Sequence, residues 1–241
     1  MARTTWLLDL DNTLHDCNPV VFPRIDAAMT DFVCRTLGID RERADALRLH
    51  YWRRYGATML GLVRHHGVDP HAFLRDVHPF PDLARIVARD GALAQALRRL
   101  PGRKVVLTNA PRAYAMGVLG ALGVLPWIDG VVTIEAMRFA GRFQPKPSRA
   151  MLRRVVAALR TVPAHCVLVE DSLANLRAAR AVGLRTVLVT AHSHRRSPVT
   201  HRPRAGNACG AHLQVPFARE LPRCSARFVR RAASAPGPTH R

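Results

Sequence analysis

The sequence predicts an α/β protein: a mainly parallel sheet with helices on both faces, and a small all-helical block inserted after the first strand. Three observations carry this reading. Apolar, β-branched runs alternate with helically spaced segments from about residue 104 to 190, the pattern of parallel strands joined by crossover helices. One more such run, TTWLLD at 4–9, stands near the beginning. Between them, from about 22 to 78, the spacing is helical with almost no strand signal.

TTWLLD reads as a buried strand ending at Asp9. Phe22, Ile25, Met29, Phe32 and Val33 then recur at i, i+3, i+4 around Pro23, which suits a first helical turn. Asp40 is placed to cap a helix running through RERADALRLHYWRRY, and Gly67 to stop the next one. After HPFPD (78–82), two short helices fill 82–99. KVVLT (104–108) is a strand, 112–123 a helix, GVVTI (130–134) a strand, 148–160 a helix, HCVLVED (165–171) a strand, 172–183 a helix and RTVLVT (185–190) a strand. Residues 192–210, rich in Arg, His and Pro, predict a mobile loop, and 211–222 an edge strand and turn. The expected core is thus 1–16 with 80–222 around a helical block at 17–79, followed by a basic, disordered tail at 223–241.

Hydrophobic residues make up 48% and charged residues 22% of the 241 positions, ordinary values for a globular chain. The net charge of +20 is not ordinary and suits an anionic partner, although Arg is scattered through every segment rather than striped with aromatics. Five cysteines, odd in number and without a C-x-x-C pair, fit neither a disulfide framework nor a zinc site and read as reduced thiols. No stretch approaches the ~18 apolar residues of a membrane helix, and the N-terminus lacks a signal-type apolar segment. A cytoplasmic protein with no membrane partner is expected.

In open α/β sheets, ligands bind beyond the carboxyl ends of the strands. The polar residues at those ends are Asp9 with Asp11, Thr108 with Asn109, Lys146 in the loop after GVVTI, and Glu170 with Asp171. All should converge on one crevice. Asp9, Asp11, Glu170 and Asp171 form a set of hard oxygen ligands that suits Mg²⁺ rather than zinc. Thr108, Asn109 and Lys146 would supply the donors for a phosphate. Lys146 is one of only two lysines among 37 basic residues, so a compact ammonium here departs from the chain's own usage. Asp9 is already ionised at neutral pH and can attack phosphorus if a cation masks its repulsion; Asp11, two residues on, can exchange the proton.

DLDNT, LTNA, QPKP and VEDSLANLRAA, taken together and in order, resemble the four motifs of the haloacid dehalogenase superfamily of phosphohydrolases over about residues 4–190. The resemblance implies a Rossmann-like core with the helical block as a cap over the site. By it, Asp9 is nucleophile and metal ligand, and Asp11 is acid/base and gives the metal its backbone carbonyl. Thr108 and Lys146 bind the phosphoryl group, Asp171 ligates Mg²⁺, and Glu170 lies in or next to the metal's ligand set. The dehalogenases lack an acid equivalent to Asp11, so its presence argues for phosphate chemistry. More narrowly, WLLDLDNTLHD, YWRRYGATMLGLVRHHGVDP, FPDL and Asn175 are similar to the bacterial pyrimidine 5′-nucleotidase branch.

Substrate choice would fall to the cap. Arg48, Tyr51, Trp52 and Tyr55 offer a basic, aromatic face that either contacts a nucleoside or docks cap to core. His65 and His66 read as solvated helix-end residues, and His192, His194 and His201 as members of a basic loop rather than a metal site. The expected function is a Mg²⁺-dependent phosphomonoesterase for pyrimidine nucleoside 5′-monophosphates. A phosphatase for a sugar phosphate or phosphoglycolate, and a polyanion-binding protein with an incidental core, are the alternatives.

Overall fold

The computed structural model describes residues 4–192 and 211–229. The expectations for 193–210, including His194 and His201, and for 230–241 lie outside the described residues. Strand β1 (Thr5–Leu8) is followed by four helices, α1 (Val21–Leu37), α2 (Arg41–Tyr55), α3 (Thr58–His66) and α4 (Pro70–Val77). Then come α5 (Leu83–Ile86), α6 (Gly91–Arg99), β2 (Arg103–Leu107), α7 (Arg112–Leu122) and β3 (Gly130–Val132). A two-strand hairpin, β4 (Arg138–Phe139) and β5 (Arg142–Phe143), precedes α8 (Arg149–Ala158), β6 (Cys166–Glu170), α9 (Leu173–Ala181) and β7 (Arg185–Val189). Strand β8 (Leu213–Val215) and the short helices α10 (Leu221–Cys224) and α11 (Ala226–Val229) close the described chain.

The main sheet has the order β3-β2-β1-β6-β7-β8 and every pairing in it is parallel. Alternation along the strands divides the apolar side chains between two faces. Trp6, Leu8, Val106, Val167 and Val169 face α6, α7 and α10, whereas Leu7, Val105, Leu107 and Leu168 face α8 and α9. Strand β1 lies between β2 and β6, so its carboxyl end opens at the middle of the sheet.

The helical block has a core of its own, built from Phe32, Val33, Tyr51, Leu62, Phe73, Leu74 and Val77. Asp40 caps α2 as expected, accepting from the Arg43 amide, and Gly67 ends α3 in the left-handed region. Helices α2 and α3 approach closely at Gly61, where a Cβ would lie 2.1 Å from Cγ of Tyr51. Ile134 and Phe143, which precede and end the hairpin, also pack into this core. The hairpin was not anticipated from the sequence: two-residue strands leave no periodicity to read.

Residues 223–229 depart from the expected disordered tail, since 221–224 and 226–229 are helical. Phe228 is buried and packs edge-on against Trp6 at 5.6 Å. With Ala218 and Leu221, this ring anchors a basic segment on the core that contains β1. Among the described residues the four cysteines are free thiols, and no helix is long and apolar enough to cross a membrane.

Phe228→Ala is expected to lower the unfolding free energy by about 3 kcal/mol, measured by denaturant unfolding. A change within about 0.5 kcal/mol would mean that this contact contributes nothing.

Candidate active site

The backbone of Asp9 extends the β1–β6 ladder by one step, its N–H donating to the Val169 carbonyl at 3.0 Å. The chain then turns, with Leu14 N–H donating to Leu10 O at 2.8 Å and Asn12 in the left-handed region at φ 59°. Asn tolerates that region better than most residues. The turn returns Thr13 to Asp9, whose Oδ2 accepts from Thr13 Oγ1 at 3.0 Å. Lys146 Nζ donates to Asp9 Oδ1 at 2.5 Å and to Glu170 Oε2 at 2.8 Å, with all three side chains buried. Asp9, Glu170 and Asp171 present carboxylate oxygens within 4.8 Å of one another.

This concentration of charge dominates the local electrostatics. Burial first, then the Glu170 charge, raises the Asp9 carboxyl to about 7 against the pull of Lys146. Burial, Glu170 and Asp9 likewise raise Asp171. Burial also disfavours ionised Glu170, but Lys146 together with hydrogen bonds from Asp171 and the Ser172 amide outweighs it, and the carboxyl ends below its usual range. Lys146 is held charged in the same way, Asp9 and Glu170 overcoming the cost of burial. One ammonium cannot balance three carboxylates. The donor set is oxygen only, so these residues fit a hard divalent cation such as Mg²⁺.

Asp9, Asp11, Thr108, Asn109, Lys146, Glu170 and Asp171 all line one crevice of about 820 Å³ between the sheet and the helical block. The convergence expected from the strand ends is therefore present. Thr108 is buried and its Oγ1 accepts from the Ala110 amide at 3.0 Å. Asn109 was expected among the phosphate donors through the backbone N–H groups that follow Thr108, and it lines the crevice. Its side chain engages the Lys146 backbone: Oδ1 accepts from Lys146 N–H at 2.9 Å and Nδ2 donates to Lys146 O at 3.1 Å. The side chain thus positions the lysine loop.

Of the four helical-block residues expected to face substrate, Trp52 and Tyr55 line the crevice. Arg48 and Tyr51 do not. Arg48 reaches Asp26 and Asp45, each at 2.7 Å, and Tyr51 is buried with its hydroxyl 2.7 Å from His66 Nε2. Both hold the block's own helices together, because they lie on the side of α2 that packs on α1 and α3. His65 is exposed, as expected, with its ring stacked on Tyr51 and Nε2 2.5 Å from the Tyr55 hydroxyl. His192 pairs with Asp16 at 3.5 Å.

The sequence reading missed what surrounds Asp11. Its Oδ1 accepts from Tyr114 Oη at 2.7 Å and lies 3.1 Å from His15 Nε2 and 3.2 Å from Cys17 Sγ. Burial would raise this carboxyl, but hydrogen bonds from His15 and then Tyr114 and Cys17 hold it below its usual value. His15 has a local signal, four residues after Asp11. Tyr114, 103 residues away on α7, has none.

A family model described as haloacid dehalogenase-like hydrolase matches residues 4–183, three quarters of the chain. The chain belongs to this family. The chain is 24% identical over 201 residues to phosphate metabolism protein 8 of Saccharomyces cerevisiae, covering 78% of the chain but only 61% of that protein. It is 29% identical over 201 residues to the plasmid-encoded phosphoglycolate phosphatase of Cupriavidus necator, covering 77% and 80% of the two chains. CbbY of Rhodobacter sphaeroides, solved with xylulose-1,5-bisphosphate, shares this fold at a TM-score of 0.62 and 21% identity, over 91% and 96% of the two chains.

The raised Asp9 carboxyl sets a stability prediction for the chain. Its folded pKa of about 7 lies above the unfolded value, so the folded chain holds an extra proton between roughly pH 4 and 7. Above that window, ionised Asp9 weakens folding by its full amount. Without divalent cation, Asp9→Asn is expected to melt at a higher temperature than wild type at pH 8, and the gap to shrink at pH 5. Calorimetry in EDTA reads both; a mutant that melts lower at pH 8 would contradict the charge crowding.

Proposed function

We propose that this chain is a Mg²⁺-dependent phosphomonoesterase working through an aspartyl-phosphate, with pyrimidine nucleoside 5′-monophosphates as its substrates. The observation that carries the reaction class is the buried Lys146 ammonium bridging Asp9 and Glu170 at the base of a crevice that also holds Thr108. Asp9, Asp171 and Glu170, with the Asp11 backbone carbonyl, would hold the cation, which when bound supplies positive charge against the phosphoryl oxygens and keeps Asp9 ionised.

The Asp9 carboxylate attacks phosphorus in line with the ester oxygen, forming the acyl phosphate as the P–O ester bond breaks. Lys146 and Thr108 bind the transferring oxygens. Asp11 gives its proton to the leaving alkoxide and then takes one from the water that attacks phosphorus, returning Asp9. Hydrogen bonds favour ionised Asp11 in the free chain. A phosphate dianion beside it pulls the other way, since a nearby negative charge raises a carboxyl's proton affinity.

The crevice wall supports the nucleotide reading. Phe22, Ile25, Met29, Trp52, Tyr55 and Phe73 form its helical side, with Arg53 and Arg54 beside them. About 820 Å³ lies within the ~300–1,000 Å³ range of sites for whole small molecules. An aromatic, apolar wall suits a flat base better than a two-carbon acid. The similarity to a phosphoglycolate phosphatase favours the second reading, in which the same chemistry serves a smaller ester. Cytoplasmic residence and the role of the helical block as a substrate-selecting cap belong to the same proposal.

Phosphate release from UMP, CMP, dTMP, AMP, GMP, phosphoglycolate and glucose phosphates, with Mg²⁺ or EDTA, separates these readings. The pyrimidine monophosphates should lead in kcat/KM by about tenfold or more, and EDTA should abolish release. Preference for phosphoglycolate or a sugar phosphate would keep the mechanism and replace the substrate. Asp9→Asn should lose at least about 10³-fold in kcat; an active mutant would overturn the covalent mechanism.

Trp52→Ala should raise KM for UMP about fivefold or more while leaving KM for phosphoglycolate unchanged. Equal effects on both substrates would remove Trp52 from base recognition.

A further inference from the structure

The residues around Asp11 form a second cluster of metal-ligating atoms, separate in chemistry from the all-oxygen set. Asp11 Oδ1, His15 Nε2 and Cys17 Sγ stand at the corners of a triangle with sides of 3.1, 3.2 and 3.2 Å. Zinc ligands at about 2.0–2.3 Å in a tetrahedron lie about 3.3–3.6 Å apart. The triangle is therefore a slightly contracted face of that tetrahedron, and one carboxylate, one imidazole and one thiol are the ligand types that zinc takes. The Tyr114 hydroxyl, 2.7 Å from Asp11 Oδ1, places a further oxygen beside the face.

The cluster is built before any ion arrives. All three residues belong to one turn, 11–17, in which Asn12 Oδ1 accepts from the Cys17 amide at 3.0 Å. His15 and Cys17 are buried, while Asp11 lines the crevice, which gives an ion a way in. Magnesium is a poor match for imidazole and thiolate, so the two sites discriminate between cations.

We propose that Asp11, His15 and Cys17 bind a thiophilic divalent cation, zinc being the best match, and that its binding withdraws the Asp11 carboxylate from proton exchange. Binding displaces the Cys17 thiol proton to solvent and leaves thiolate as ligand. The inhibitory consequence rests on the role proposed for Asp11; binding itself does not.

Cobalt(II) tests binding without reference to turnover, because only a thiolate ligand produces a near-ultraviolet sulfur-to-cobalt charge-transfer band. The full-length chain, reduced with a phosphine and saturated with Mg²⁺ to fill the oxygen site, is titrated with Co²⁺. The band should saturate at one equivalent, vanish in Cys17→Ser and persist in Cys166→Ser. His15→Gln, a second variant should Cys17→Ser fold poorly, should weaken Co²⁺ binding by at least about tenfold. No band, or one that survives Cys17→Ser, overturns the site. Zinc should inhibit Mg²⁺-supported phosphate release, with the half-inhibiting concentration rising at least about tenfold in Cys17→Ser. A Cys17-dependent band without inhibition would overturn the inhibitory role alone.

Discussion

The site is organised by the ammonium of Lys146, held out of water between Asp9 and Glu170. Burying a carboxylate is costly unless it is paired, and here three lie within 4.8 Å of one another. Lys146 offsets part of that cost and leaves an excess of negative charge. The excess is visible in the opposite shifts of Asp9, upward, and Glu170, downward. The uncompensated negative charge is what a bound divalent cation would offset, as the proposed function requires.

The fold meets the geometric demand of that cluster with three separate pieces of chain. Asp9 and Glu170 extend adjacent parallel strands, so their side chains are brought together by the sheet register. Lys146 comes from a loop, which lacks such a constraint, and Asn109 supplies it by gripping the lysine backbone on both sides. The side chain of a residue read as a phosphate donor serves here as a clamp as well. A loop lysine free to move would not hold two carboxylates at hydrogen-bond distance.

The strand ends were legible because burial and periodicity reveal strands, and the topology rule then makes every polar terminus a candidate. This is why Asp9, Thr108, Lys146, Glu170 and Asp171 could be gathered before any coordinates. Helix α2 was harder to orient. RERADALRLHYWRRY is polar nearly all round, so no apolar stripe tells which of Arg48, Tyr51, Trp52 and Tyr55 meet the neighbouring helices and which reach the crevice. The contact between Tyr114 and Asp11 was illegible for a different reason: Tyr114 stands in an apolar helix where a tyrosine reads as core, and nothing local points to a partner 103 residues away. Phe228 was hidden by its basic neighbours, which set the composition of the tail while its ring packs on Trp6.

The wall facing the charged cluster comes from the helical block, and the chain passes between block and sheet twice. At the first passage, His15 and Cys17 touch Asp11. At the second, His78 and Phe80 pack against the ring of Tyr114, whose hydroxyl donates to the same carboxylate. Arg24, in the first turn of α1, ties the block to the second passage, pairing with Asp82 and lying over Phe80. The carboxylate proposed to exchange the proton is therefore the one that both passages reach. In the proposed reaction the position of this carboxylate would therefore be set by the same two passages that hold the helical block to the sheet.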